Sequence, residues 1–311
     1  MPGLSIRMFG KFSVQRNDKT VSGLDACKLQ ELFAYLLIHR NAPQPRESLA
    51  ALLWGDSSTG QSKKYLRQAL WQLQSALDSQ GRKGRFRTLC VEPDKARMNP
   101  LAEVWLDVAV FEQAFLLTCE IPGEQLDPAQ AHTLNDAVQL YRGDLLEGCY
   151  QDWCLCERER LQSSYLAMLN KLMSYCEAQR RYETGLTYGL RVLRYDRARE
   201  STHRKLMRLY YLAGDRTAAL RQYQQCAAAL DEELGVRPAQ RTVRLYEQIR
   251  LDQVDDPTLQ VVDATTARAA TTASSPEVLN GLRQLGQLLS DLQRLVRQDI
   301  KAVEAILKSD R

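Results

Sequence analysis

Residues 62–77, SKKYLRQALWQLQSAL, are the stretch whose reading decides the fold. Laid out at roughly 100° per residue, Leu66, Leu70, Leu73 and Leu77 fall into one narrow apolar stripe. Lys64, Gln68, Trp71 and Ser75 lie on the opposite side, with Arg67 and Gln74 flanking them. A helix buried along one side that turns Lys, Gln, Trp and Arg outward has the chemistry for insertion into a major groove. Arg and Lys can pair with guanine O6/N7 or with phosphate, and Gln can read adenine. The blander reading is an ordinary solvated face with Trp71 covered by another domain.

Two shorter helical patterns precede this stretch. Leu29, Leu32, Phe33, Leu36 and Leu37 recur at helical spacing, ending near Asn41 with Pro43 and Pro45 beyond. Arg46 to Trp54 is a second helix closed by Gly55. Before them, Leu4, Ile6 and Met8 alternate with polar neighbours, as do Phe12 and Val14, and Asn17-Asp18 makes a turn before Val21. After the third helix comes Gly81-Arg82-Lys83-Gly84, then Phe86 to Val91 and Val104 to Leu106, which suit a hairpin around a polar tip. Strands, three helices and a basic hairpin in this order describe a winged helix-turn-helix over residues 1–106, an α+β unit.

Charge supports that placement. The chain has 311 residues and a formal net charge of +4, too small to announce a partner by itself. Residues 60–99 alone hold nine basic side chains against three acidic ones, the electrostatic footprint a phosphate backbone attracts. The predicted DNA-binding residues are therefore Lys63, Lys64, Arg67, Gln68 and Trp71 on the helix, with Arg85 and Arg87 on the wing, and the predicted partner is double-stranded DNA. Catalytic chemistry has nothing to stand on: no Gly-rich phosphate loop, no nucleophile elbow, three scattered histidines. The eight cysteines form no Cys-x-x-Cys, so no metal site and no cofactor is expected, and buried thiols in a reducing compartment are the expectation even for the Cys149, Cys154, Cys156 cluster. No apolar run approaches the ~20 residues of a membrane helix, so the expected partners include no membrane and the expected location is cytoplasmic.

From Asp107 the pattern turns helical. Val110 to Leu117, Ala129 to Tyr141 and Gln151 to Gln179 are predicted helices, the last with Trp153, Leu161, Tyr165, Leu169 and Leu172 on its apolar side. Tyr182 to Tyr195 and Thr217 to Leu230 then look alike, and Leu186 and Leu220 stand 34 positions apart, the tetratricopeptide period. Gly185 and Ala219 supply small residues where paired helices approach. Ser201 to Leu212 is the returning helix and Gly214 its stop. Residues 107–250 are thus predicted to be a tetratricopeptide-like helical domain, and the chain as a whole mostly α.

These residues together resemble a known family. ESTHRKLMRLYYLAGDRTAALRQY (200–223) and LDEELGVRPAQRTVRLYEQI (230–249) closely resemble the bacterial transcriptional activator domain of regulators of the Streptomyces antibiotic regulatory protein type. YRGDLLEG (141–148) and ERERLQSSYLAMLNKL (157–172) resemble the opening of that domain. LFAYLLIHRNAPQPRESLAALLW (32–54) and LRQALWQLQSAL (66–77) look like the response-regulator-type winged helix fused to it. The resemblance implies promoter binding through the third helix and wing, and contact with RNA polymerase or another transcription factor. Two positions depart from the family pattern. Leu73-Gln74 stands where Leu-Arg is frequent, and Asp196-Arg197 stands where Asp-Pro is usual.

Two features fall outside that resemblance. Arg180, Arg181, Arg191, Arg194, Arg197 and Arg199 crowd a segment with few acids. Solvated faces and salt bridges account for them in the simplest reading. The sharper reading is an anion site for a cyclic dinucleotide such as cyclic di-GMP, because Arg forks match phosphates and Tyr182, Tyr188, Tyr195 or Tyr210 could stack on bases. Residues 251–276 have the composition of a flexible linker. In 277–308, Leu282, Leu285, Leu289, Leu292, Val296, Ile300, Val303 and Leu307 recur at coiled-coil-like steps, an amphipathic helix that needs a partner, either the body of the same chain or another copy, with a homodimer the favoured reading.

Overall fold

The computed structural model describes residues 3–78 and 87–254. Arg82, Lys83 and Arg85, most of the 251–276 linker, and the amphipathic helix of 277–308 lie outside the described residues. The described chain up to Asp252 forms one compact unit.

The N-terminal part begins with β1 (Leu4–Arg7) and β2 (Ser13–Arg16), paired antiparallel, followed by β3 (Lys19–Thr20). The Asn17-Asp18 turn takes φ values of 48° and 63°, the mirror-image geometry that matches strand twist and that Asn and Asp tolerate. Three helices follow: α1 (Cys27–Ile38), α2 (Arg46–Trp54) and α3 (Thr59–Leu77). α1 stops at Ile38, three residues before the expected Asn41, and α3 starts at Thr59, a turn earlier than Ser62. Both place Leu29, Leu32, Phe33, Leu36, Leu37, Leu66, Leu70, Leu73 and Leu77 in the core, as their spacing predicts.

The wing differs from the expected pairing. β5 (Leu89–Val91) pairs antiparallel not with 104–106 but with β6 (Lys95–Met98), around a turn at Glu92-Pro93-Asp94. Ala96 and Met98 alternate inward along β6, a period-two signal short enough to pass unnoticed between Pro93 and Pro100. β4 (Gln44–Pro45) adds to the free edge of β6. Val104–Leu106 form β7, which runs parallel to β1 in the other sheet, giving the order β3-β2-β1-β7. The reason is burial: Ile6 and Leu106 stand opposite each other and are both enclosed.

α4 (Asp107–Thr118) and α5 (Pro128–Leu140) lead into α6 (Asp152–Ala178), α7 (Tyr182–Leu193), α8 (Glu200–Leu212), α9 (Arg216–Leu234) and α10 (Gln240–Leu251). α5 opens on a capping box in which Asp127 and Gln130 satisfy each other's backbone N–H groups, with Pro128 in the first turn. Gly214, at φ 86°, ends α8 as expected. The 34-residue spacing marks real helix pairs, α6 with α7 and α8 with α9.

Gly189, one turn past the expected Gly185, leaves even less room for a side chain between the paired helices. A Cβ on Gly189 would lie 2.5 Å from Leu206 Cδ2 and 2.8 Å from Met173 Cε, both side chains fully enclosed. Gly189→Ala is therefore expected to destabilise the fold by about 1–3 kcal/mol despite alanine's better helix propensity, because the core is overpacked. Urea titration measures it; an unchanged midpoint would show that Leu206 and Met173 yield freely.

The two parts share one hydrophobic core. Asp107, at the start of α4, is 2% exposed and accepts backbone hydrogen bonds from Met8 (2.8 Å), Phe9 (3.0 Å) and Val108 (2.7 Å). The loop after α5 lies against the end of β1: Gly10 N–H donates to Asp144 and Leu146 N–H to Met8, both at 2.9 Å. Phe9 packs on Phe111 and Tyr141 at ring distances of 5.1 and 4.8 Å. Glu112 of α4 binds Arg40 from the winged helix and Arg160 of α6, at 2.7 and 2.5 Å.

His39 caps α1 at this joint, 4.3 Å from the Tyr35 ring. Burial holds the imidazole below its usual range, with Arg160 adding to the effect and Glu157 opposing it. The unfolded chain then binds the extra proton as pH falls below ~6.5, so this contribution to stability is complete above that pH and declines beneath it. Denaturation midpoints between pH 5 and 7 should drop toward acid, with a shallower slope in His39→Gln. Identical slopes would remove His39 as the cause.

Candidate nucleic-acid interface

α2 and α3 form the helix-turn-helix, and Ser62 fixes the turn. Its buried hydroxyl lies 2.8 Å from the Trp54 carbonyl at the end of α2 and within 3.3 Å of the Ser57 and Ser58 carbonyls. The wing is tied to the same unit through Arg46, the first residue of α2. Its backbone N–H donates to Asp94 (2.8 Å) and its guanidinium to the Glu92 carbonyl (3.2 Å). Neither residue stands out in sequence, since a hydroxyl and a guanidinium binding backbone carbonyls leave no periodic trace.

Held this way, α3 buries Leu66, Ala69, Leu70, Leu73 and Leu77 and exposes the opposite side. Lys64, Gln68, Trp71 and Ser75 form one exposed row along the helix, with Arg67 beside it. Trp71 is 67% exposed, so among the described residues nothing covers it. A groove of about 720 Å³ runs on one side of the row, lined by Lys63, Arg67, Arg46, Glu47 and the wing-turn residues Pro93 and Asp94. A second groove of about 760 Å³ adjoins Trp71, Gln72 and Ser75 and is bounded by Arg16 and Lys19 of the N-terminal hairpin.

Charge along the row is uneven. Lys63 is paired with Glu47 at 2.6 Å, and this hydrogen bond and charge hold the Glu47 carboxyl below the usual carboxylate range. Arg87 is exposed but sits before β5, at the base of the wing, while the tip is Glu92-Pro93-Asp94. Lys64, Arg67, Gln68 and Trp71 are thus brought together on one surface; Lys63 shares its charge with an acid, and Arg87 stands apart.

The arginines of the helical array are distributed rather than convergent. Arg180 and Arg181 sit at the start of α7 and Arg194, Arg197 and Arg199 beyond its end, separated by twelve residues of helix, about 18 Å. Arg191 points inward: it donates to the Tyr165 hydroxyl (3.0 Å) and the Val138 carbonyl (2.9 Å). Arg197 pairs with Glu232 at 3.2 Å. Tyr195 packs edge-on against Tyr141 and Tyr165, and Tyr188 donates to Asn135 at 2.8 Å. Among the described residues no group of His, Cys, Asp and Glu is arranged to hold a metal ion, and no helix is long and apolar enough to cross a membrane.

A winged helix-turn-helix packed on a tetratricopeptide-like helical array is the class this architecture defines. The sequence profile of the bacterial transcriptional activator domain matches residues 106–250, the helical array from the end of β7 to α10. The structure of Mycobacterium tuberculosis EmbR, solved in complex with a low affinity phosphopeptide, has the same fold. The two align with a TM-score of 0.67 at 19% identity, over 86% of this chain and 70% of that one. A search of curated proteins gave no match.

Proposed function

We propose that the protein is a transcription regulator that binds promoter DNA through α3 and contacts RNA polymerase or another regulator through its helical array. The observation that carries the first half is the exposed Lys64, Gln68, Trp71 row on a helix whose opposite side is fully enclosed. A solvated helix face has no use for a largely exposed indole, whereas a groove reader gains both apolar contact with thymine methyls and hydrogen bonds from Gln and Arg. Grooves on either side of the row leave room for the two phosphate backbones. The match of residues 106–250 to the bacterial transcriptional activator domain supports the second half. The coiled-coil-like pattern of 277–308 favours action as a homodimer on paired half-sites.

Fluorescence anisotropy of labelled promoter duplexes titrated with the full chain, at 50 to 300 mM salt, tests this. Binding that weakens linearly in log K against log salt, with a slope of several units, is expected for contacts to several phosphates. No association with any duplex at low salt would leave the winged helix as a protein-interaction surface instead.

A further inference from the structure

The two sides of α3 differ in charge. On the wing side, the groove that holds Lys63, Arg67 and Arg46 also holds two carboxylates, Glu47 and Asp94. Glu47 pairs with Lys63, and the Arg46 guanidinium donates to the Glu92 carbonyl. On the other side, the groove of about 760 Å³ lies between the C-terminal half of α3 and the hairpin of β2 and β3. Its wall carries two cations, Arg16 and Lys19, and among the described residues no carboxylate. Thr20 and Ser22 from the hairpin segment, and Gln72 and Ser75 from α3, add exposed hydrogen-bonding side chains to that wall.

The hairpin is held against the helix. Arg16 donates through its guanidinium to the Leu77 carbonyl at the end of α3. Gly23, at φ 85°, turns the chain back toward α3, where a Cβ on it would lie 3.8 Å from the Ala76 methyl. Asn17 and Asp18 form a two-residue turn, so Arg16 and Lys19 stand directly opposite each other across the strand pair. Like charges in that position repel. Lys19 is exposed, and among the described residues it has no ion-pair partner.

We infer that this groove holds the sugar–phosphate backbone of one DNA strand, with Lys19 neutralising a phosphate. The inference rests on the reading of α3 as the element that enters the major groove. A helix about 10–12 Å across fills a major groove about 12 Å wide, so the surfaces flanking the helix meet the two backbones. A polyanion seated there offsets the repulsion between Arg16 and Lys19, and Thr, Ser and Gln side chains are ordinary donors to phosphate oxygens. The wing-side groove, with its two carboxylates, is the poorer of the two seats for phosphate. Lys19 then sets affinity and register but no sequence preference, because a phosphate contact carries no base information.

Anisotropy of a labelled mixed-sequence duplex titrated with the full chain tests this, since phosphate contacts are made on any sequence. Lys19→Ala is expected to weaken binding roughly threefold to tenfold at low salt and to lower the salt slope by about one unit. The loss should be equal on duplexes of different sequence. Lys19→Glu should lose more, and Lys19→Arg should bind like the parent chain. Arg221→Ala removes the same charge from an exposed position on α9 and should leave the slope unchanged, which separates a local contact from net charge. Parent-like affinity and slope in Lys19→Ala, or an equal fall in Arg221→Ala, would overturn the hairpin contact. If the Lys64→Glu, Arg67→Glu double variant still abolishes binding in that assay, α3 keeps its place as the groove reader. Binding retained in the double variant would overturn the reading of α3 and the hairpin contact with it.

Discussion

Asp107→Ala is expected to lower the stability of the folded chain by about 3–5 kcal/mol, a large effect for the removal of one polar side chain. The carboxylate is 2% exposed and accepts three backbone N–H groups, from Met8, Phe9 and Val108. Alanine leaves all three donors enclosed without an acceptor, and each buried unsatisfied group costs about 1–3 kcal/mol. Water entering the vacated space offsets part of that total. Asp107→Asn keeps one oxygen but turns an NH2 toward an N–H donor, so a smaller loss, about 2 kcal/mol, is expected. Urea denaturation of the two variants against the parent chain measures both. Because β1, β7 and α4 meet at this carboxylate, the loss should appear as one cooperative transition for winged helix and helical array together. A change under about 0.5 kcal/mol would show that these bonds are replaced by solvent at no cost.

The second large effect concerns DNA. Replacing one phosphate- or base-contacting cation costs about 1–3 kcal/mol, and reversal to Glu adds repulsion from the same phosphates. Lys64→Glu and Arg67→Glu are each expected to weaken duplex binding by roughly tenfold to more than a hundredfold, and the pair together to abolish it. Salt slopes should fall by about one unit for each phosphate that is no longer neutralised. Lys63 supplies an internal control: Glu47 already shares its charge at 2.6 Å, so Lys63→Ala should cost less than Lys64→Ala. Both lysines and Arg67 are exposed, so circular dichroism and melting temperature should not change. Parent-like affinity and slope in the double reversal would remove α3 as the DNA-contacting element.

Much of the fold was legible in local pattern. The apolar stripe of Leu66, Leu70, Leu73 and Leu77 marked both the third helix and its outward row, because a 3.6-residue period records which side of a helix loses water. Gly214 and the Leu186–Leu220 spacing marked the helix pairs for the same kind of reason: a stop and a repeat are written within a few tens of residues. The strand at 104–106 was legible as a strand, yet its partner was not. Alternation in Val104-Trp105-Leu106 says that one face is covered and is silent on whether β5 or β1 covers it.

Arginines show the same boundary. Arg191 and Arg194 are indistinguishable by composition, yet one is spent on Tyr165 and Val138 inside the array and the other faces solvent. By itself, then, the sequence determined the elements, their enclosed faces and the positive character of the third helix, since propensity, periodicity and charge act over a turn or two of chain. Only the tertiary structure decided that β7 closes on β1, that Asp107 and the Phe9–Phe111–Tyr141 cluster join the two parts into one core, and that Arg191 turns inward to Tyr165 and Val138. Those contacts depend on which distant segment wins the burial of each face, a competition among whole arrangements of the chain that no local window records.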